Sequence, residues 1–516
     1  MLPSLFLPGA TASDRTTSIA IGATVASAAL AASLWLRYLH QKHPLDDLPG
    51  PPPSSFILGN AVETKGSIDA WHTTGQYPEP YLSWMTQYGG VVHFRELSTH
   101  FVMVSDPKAL QHILVANGPN YPRHALLRSF MADRLLGVGL LSSTGTQHDQ
   151  QRKMLNPHFT QAKLKHFVPL FERMAQRTCD SVLANATTAL DLHAVFGELT
   201  LGAIGQTMFG FDFHGHPHAR AAYERMMEPQ PLWITLGLLF VPKFSFFPIP
   251  QLWAVQRAQQ ELRQIVLDII AHKQAESLPA AHDLLDLMLP DTTPDDALVH
   301  VMTFMAAGHD TSSAGLSWVF IALATRPVVV ATMRAEVKRV AALFDGSIGS
   351  WEAVSELKYT TAVIQETLRL WTVAPTIMRR VAVQDDSLPL SDGTTVWIPK
   401  DTAIEINPGA MHQNPRYWAN ANAFVPERFV EGTPEWIADE ALRGTKHHTF
   451  VYMPFAFGAG NCIGQKFALA EMIVVTATLI REFDFALAPD ADVRPIYAMP
   501  IINPVKLHMT VQRATE

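Results

Sequence analysis

Cysteine is almost missing from this chain: its 516 residues contain only Cys179 and Cys462. A disulfide framework is therefore excluded, the globular part suits a reducing compartment, and each sulfur needs its own explanation. Charge is sparse as well, at 17% of residues, and a formal balance of −8 leaves no basic surface of the kind nucleic acid demands. After residue 60 the chain lacks Gly/Ser-rich or charged linkers, and it lacks internal repeats throughout. Such a sequence reads as one large unit, and with 48% hydrophobic residues it can bury a large core. The sequon Asn185-Ala-Thr187 is explained by chance in a domain that faces a reducing compartment.

What the chain does have, at one end, is a long apolar run. Ser18 to Leu36 is almost unbroken apolar or small (Ile19, Ile21, Val25, Leu30, Leu34, Trp35, Leu36) and approaches the ~20 residues of a membrane-spanning helix. Arg37, His40, Lys42 and His43 follow, and the positive-inside rule places that flank in the cytosol. A cleaved signal peptide would carry its basic residues on the other side. Asp47-Leu-Pro49-Gly50-Pro51-Pro52-Pro53 then reads as a stiff, extended stretch. The expected organisation is a short non-cytosolic N-terminus at 1–17, a single transmembrane helix at 18–36, a basic flank and proline hinge at 37–53, and a catalytic domain over 54–516.

Within that domain, Val91 to Arg95 and Phe101 to Val104 read as a β-hairpin, and Asp106-Pro107 as a helix start. Helical periodicity dominates from about 148 to 380. The exception is Pro229 to Trp253, where Trp233, Phe240, Phe244, Phe246, Phe247 and Trp253 stand among prolines. A core loop is one reading; an amphipathic lip in a membrane interface is the one preferred here.

Three local patterns point to chemistry. The run Phe455-Ala-Phe-Gly458-Ala-Gly460-Asn-Cys462-Ile-Gly464 has the glycines a tight turn needs to bring backbone N–H groups to a sulfur, with Phe455 to exclude water. An apolar-periodic segment follows, so Cys462 is expected just before a helix N-terminus, whose positive end favours a thiolate. Second, Val301 to Trp318 reads as a buried helix whose middle carries Ala307-Gly308-His309-Asp310-Thr311-Ser312. A glycine, an acid and hydroxyls inside an apolar helix are a local conflict of the kind that marks function. A hydroxyl in such a place can hold a water, and a neighbouring carboxylate can feed it protons. Third, Glu366-Thr-Leu-Arg369 places opposite charges on one helix face among Val363, Ile364, Leu368 and Leu370. A pair buried there needs a further partner, which Arg428 can supply. His412 as a metal ligand is dismissed, since no second ligand lies at suitable spacing.

These patterns, in this order, resemble the cytochrome P-450 family, and the resemblance runs from about residue 45 to 512. It implies a mainly α fold with a small β-rich lobe, and haem b held by Cys462 as axial thiolate, with Phe455, Gly458 and Gly464 shaping the loop. It makes Asp310 and Thr311 the catalytic acid–alcohol pair, and Glu366, Arg369 and Arg428 a structural triad. The segment at 47–53 is similar to the hinge of microsomal members, and Pro229–Trp253 to their mobile pocket roof. Gly460 departs from the pattern, for the family usually has there an Arg that grips a haem propionate, an interaction worth ~1.5–3 kcal/mol. His148, where the family usually has Trp, together with Arg152 and Arg379, is expected to take over that role. Ala307 stands where one fatty-acid-hydroxylating branch has a Glu esterified to haem, so that bond is excluded.

The function implied is insertion of one oxygen atom of O2 into a C–H or C=C bond of a lipophilic molecule such as a terpenoid, sterol, fatty acid or other secondary metabolite. Pocket candidates by family position are Phe130, Leu136, Leu140, Phe304, Ala307, Val373, Ala374, Thr376 and Ile501, none of them charged. With no FAD, FMN or iron–sulfur module in the chain, electrons are expected from NADPH–cytochrome P-450 reductase, with cytochrome b5 as a second donor, at the endoplasmic reticulum membrane. Arg152, Lys153, Lys163, Lys165 and Lys466 are docking candidates for an acidic donor. A haem-thiolate isomerase or dehydratase, and a non-catalytic haem carrier, remain as alternatives that would have no use for Asp310 and Thr311.

Overall fold

The computed structural model describes residues 42–228, 230–241, 243–275, 283–444, 448–498 and 500–514. The expected anchor at 18–36 lies outside them. Among the described residues no single helix is long and apolar enough to cross a membrane.

Helices dominate, and the strands form small sheets. The largest sheet has four strands, β1 (Val91–Glu96), β2 (Thr99–Val104), β3 (Ile377–Val381) and β4 (Ala403–Ile406), in the order β1-β2-β4-β3. The expected hairpin is there: β1 and β2 are antiparallel, with Val91 opposite Val104 and Phe94 opposite Phe101. β4 then joins β2 in parallel, and β3 closes the sheet antiparallel to β4. Asp106 caps the next helix as its sequence predicts, its carboxylate accepting the N–H groups of Lys108 and Ala109 at 3.0 and 3.1 Å.

Seven helices place the site. In chain order they are α1 (Gly145–Leu155), α2 (Val168–Thr178), α3 (Leu192–Phe209), α4 (Pro250–Ala275), α5 (Pro294–Ala324), α6 (Lys358–Leu370) and α7 (Gln465–Glu482). α5 is the axis of the molecule: it packs along α3 and touches α4, α6 and α7. Pro294 at its first turn and Thr293, which accepts the Asp296 N–H at 3.2 Å, define its start. Its two halves are buried, at Val301–Met305 and Ser312–Leu323, while Ala306 to Thr311 are accessible. The polar insertion therefore does not break the helix; it opens a window in the core. Gly308 lets α3 come close, since a Cβ there would stand 2.5 Å from Ile204 Cδ1.

Pro229–Trp253 is more ordered than its prolines suggest, with a helix over Leu232–Phe240, a 3-10 turn at Phe244–Phe246 and the start of α4. Ile234 and Leu252 point into the protein, whereas Trp233, Phe246, Phe247 and Trp253 are exposed, Phe246 to 76%. Cys179 is buried at the end of α2, and burial pushes its thiol up to about 12. It is an inert core cysteine.

Candidate functional site

The loop before α7 is held in one shape by its own backbone. Cys462 N–H donates to Phe455 O at 2.9 Å and Asn461 N–H to Gly458 O at 3.1 Å. Gly458 has φ of 76°, and a Cβ there would lie 2.1 Å from the Leu114 carbonyl oxygen, so no side chain fits. Gly464 is the N-cap of α7, and its N–H favours the charged form of Cys462. The Cys462 side chain is accessible although it lies deep within the fold, so it faces an interior space. Burial pushes its thiol up, and the Gly464 N–H and the Arg152 charge oppose that only in part. A bare sulfur here stays a thiol, whereas a coordinated cation would deprotonate it.

Around this loop the arginines divide into two sets. Arg152 of α1 clamps the loop itself, donating to Asn461 O at 2.8 Å and Asn461 Oδ1 at 2.6 Å, and to Asn156 Oδ1 at 2.7 Å. Arg379, expected beside the haem, is instead bound into the sheet. It donates to Glu405 Oε2 at 2.7 Å and to Glu96 at 3.3 Å, and these carboxylates outweigh the burial that would lower its pKa. The cations that converge on the loop are Arg123 and Arg380. A Cβ on Gly460 would stand 3.0 Å from Arg380 Nη2 and 3.3 Å from Arg123 Nη2.

Neither guanidinium has an ion pair among the described residues. Arg123 donates to the carbonyls of Leu140 and Leu141 at 3.0 and 3.2 Å, and Arg380 to Tyr121 O at 2.9 Å, leaving its Nε buried and unpartnered. Burial, then Arg380, Arg152 and Arg128, lower Arg123 to about 10. His148 joins them with its Nε2 buried and unpartnered, burial and Arg123 keeping the ring neutral. Buried cations without counter-charge are costly, and an anionic ligand relieves that cost. Gly460 is therefore no gap: the space an Arg would take there is already bounded by two other guanidiniums. Sequence reading missed both. Adjacent residues on a strand face opposite ways, so Arg379 and Arg380 could not both meet the loop, but spacing alone does not say which does.

On α5, Thr311 Oγ1 donates to Ala307 O at 2.6 Å, and Asp310 Oδ1 lies 2.6 Å from His309 Nδ1. Tyr223 OH is 3.5 Å from that same nitrogen, and Arg134 is near enough for Asp310 to offset part of its burial. Glu471, on α7 facing Ser312, is a further acid that sequence reading passed over; burial pushes it up to about 8, so it is protonated at neutral pH.

Of the pocket candidates, Val373 and Ile501 come together through the bond from Ile502 N–H to Val373 O, 2.9 Å. Ala307 opens into the window of α5, and Leu140 lies beside Arg123. Phe304 is committed to packing on Phe159 and His300, and the Thr376 hydroxyl to Tyr497. Phe130, Leu136 and Ala374 are half-buried.

The charged triad is fully assembled. Arg369 donates to both Glu366 oxygens at 2.7 and 2.8 Å and to the carbonyls of His412, Ala421 and Ala423, while Arg428 reaches Glu366 at 3.2 Å and Asp439 at 2.6 Å. Every group is buried and partnered, which is what makes buried charge tolerable. His412 accepts the Met453 N–H at 2.8 Å and meets Thr372 Oγ1 at 2.8 Å, so both its nitrogens are engaged.

An iron porphyrin with two carboxylates fits these residues: one enclosed sulfur for the metal, and unpaired guanidiniums for the acids. The comparisons agree. The family profile described as Cytochrome P450 matches residues 49–511. The chain is 27% identical to cytochrome P450 monooxygenase 205 of Postia placenta over 92% of both chains, and 30% identical to cytochrome P450 monooxygenase 91 of the same fungus over 86% of this chain and 89% of that one. It is 29% identical to taurochenodeoxycholic 6 alpha-hydroxylase of Sus scrofa over 80% of this chain and 82% of that one. The chain belongs to the cytochrome P-450 family of haem-thiolate monooxygenases.

Proposed function

We propose that this chain is a membrane-anchored hydroxylase of a lipophilic small molecule, a terpenoid, sterol or fatty acid, supplied with NADPH electrons by a separate reductase. The observation that carries the reading is the window in α5, where an acid and an alcohol become accessible in the middle of an otherwise buried helix. Cys462 would hold the haem iron, and Arg123, Arg380 and His148 would meet its propionates. When bound there, haem supplies O2 activation and the oxidation of the C–H bond. Thr311 Oγ1, donating to Ala307 O, keeps its lone pairs free to accept from a water. Asp310, held at 2.6 Å by His309 Nδ1, would be the carboxylate that feeds a proton to that water. The uncharged pocket candidates favour a lipophilic substrate that is neutral or has a single polar end, and one relative is named taurochenodeoxycholic 6 alpha-hydroxylase.

The exposed Trp233, Phe246, Phe247 and Trp253 suit contact with the endoplasmic reticulum membrane that the segment at 18–36 would anchor. Lys153, Lys163, Lys165 and Lys466 are exposed and remain available to an acidic reductase, whereas Arg152 is tied to Asn461. The carbon-monoxide difference spectrum of the reduced, membrane-bound protein tests the centre of the reading. A strongly red-shifted Soret band that Cys462→Ser abolishes is expected. A band that survives the substitution removes Cys462 as ligand. NADPH consumption with added reductase, stimulated by sterols, terpenoids or fatty acids, is the matching substrate screen; no stimulation by any of them overturns the lipophilic class.

A further inference from the structure

One cluster of ligating groups takes no part in the site described above. One donor atom each from Asp46, His93 and His100 lie within 4.8 Å of one another, the single such grouping of three among the described residues. The hairpin builds two thirds of it. His93 is opposite Val102 and His100 opposite Arg95, so the histidines are diagonal neighbours on one face of β1–β2. Their rings are parallel within 5°, with His93 Nε2 2.9 Å from His100 Nδ1.

The third ligand comes from the proline-rich segment, which lies flush on that hairpin. His93 N–H donates to Pro49 O at 2.9 Å, and a Cβ on Gly50 would stand only 1.9 Å from His93 O. Asp46 belongs to the short turn Pro44–Asp47. Its Oδ2 accepts the His43 N–H at 2.7 Å, and its Oδ1 lies 4.0 Å from His93 Nδ1. The His43 ring stacks on His100 at 3.7 Å and closes one side.

Two imidazoles nitrogen to nitrogen share one proton at most. Histidine binds metal through a ring-nitrogen lone pair, and each neutral ring has one to give. Donors around a four-coordinate ion with bonds of ~2.0–2.1 Å stand about 3.4 Å apart. The three donor atoms here, one from each residue, all lie within 4.8 Å of one another, close enough for small side-chain rotations to seat an ion between them. Two nitrogens and one oxygen suit a borderline ion and not the oxygen-seeking Mg2+ or Ca2+.

We propose that Asp46, His93 and His100 bind a divalent transition-metal ion of the zinc class, with water as fourth ligand, and that the ion pins the proline-rich segment to the β1–β2 hairpin. Asp46 is exposed and both histidines are half-buried, so an ion can enter from solvent.

The test uses the full chain, haem-loaded so that Cys462 is engaged, stripped with a chelator and titrated with Zn2+ by calorimetry. About one ion per chain is expected beyond whatever a His93→Gln/His100→Gln double variant still takes up, with slowed amide exchange over residues 43–50. Asp46→Asn, on the surface, is expected to weaken Zn2+ binding at least about tenfold without altering the haem spectrum. Uptake equal in the parent and the double variant, or exchange at 43–50 that Zn2+ leaves unchanged, overturns the proposal. If the double variant fails to fold, Asp46→Asn alone decides: unaltered Zn2+ affinity refutes the site.

Discussion

Gly460→Arg would restore the residue usual in the family, and on sequence grounds it should tighten haem binding. The structure predicts the opposite. A side chain leaving Gly460 starts 3.0 Å from Arg380 Nη2 and 3.3 Å from Arg123 Nη2, both ends of buried guanidiniums. A third guanidinium at about 4 Å from each, at an effective dielectric of about 20, is repelled by roughly 4 kcal/mol per pair. A new propionate contact returns only about 1.5–3 kcal/mol. Even after the arginines swing apart, repulsion should win by more than about 1.4 kcal/mol, which is a tenfold change in equilibrium. The assay is transfer of haem to an excess of a haem-scavenging apoprotein, followed as a first-order loss. Gly460→Arg is expected to lose haem at least about tenfold faster than the parent. Gly460→Ala, whose methyl meets only movable side-chain ends, should change the rate little. The double variant Gly460→Arg/Arg380→Leu should recover much of the loss. Slower release from Gly460→Arg than from the parent would refute the argument and return Gly460 to the status of a missing cation.

Glu471 titrates with a sign that can be checked: its folded pKa of about 8 exceeds the ordinary 4.5, so the native state holds the extra proton and stability falls as pH rises between those values. Glu471→Gln should lose this fall, so the thermal midpoints of the two proteins diverge in favour of Gln as pH rises from about 4.5 to about 8, by up to about 1.4 kcal/mol per pH unit, and the gap levels off above that; parallel profiles would mean the carboxyl is solvated. Thr311→Ala should leave NADPH consumption running while product per NADPH drops roughly tenfold or more, and unchanged coupling would remove the water-holding role. Arg369→Lys keeps the charge but cannot serve both Glu366 oxygens and three carbonyls at once. A loss of about 3–5 kcal/mol, read as poor soluble yield and a collapsed thermal midpoint, is expected, and a near-parental midpoint would show the network to be dispensable.

The parts of the fold legible in the sequence were those with a short period or a local chemical conflict. The β1–β2 hairpin alternates, α5 is apolar for several turns, and Glu366 and Arg369 need each other once Val363 and Leu368 bury their helix face. What escaped was decided by distant segments. Arg123 sits in irregular chain and gains meaning only by bridging to Arg380. Arg379 looked available until Glu96 and Glu405, far apart in sequence, closed on it. His93 and His100 are unremarkable strand residues until the turn at Pro44–Asp47 is laid across them. The exposure of Trp233 and Phe247 was likewise invisible, because aromatics among prolines serve a core and a surface equally well.

Strand β3 carries Arg379 and Arg380 in succession, one clasped by the carboxylates of the sheet and the other aimed at the Cys462 loop. A single stretch of backbone therefore belongs to two structures at once. Pulling the cofactor out should slacken the sheet, and loosening the sheet should let the cofactor go. The melting of the β lobe and the release of haem are expected to share one temperature and to shift together with any change that touches β3.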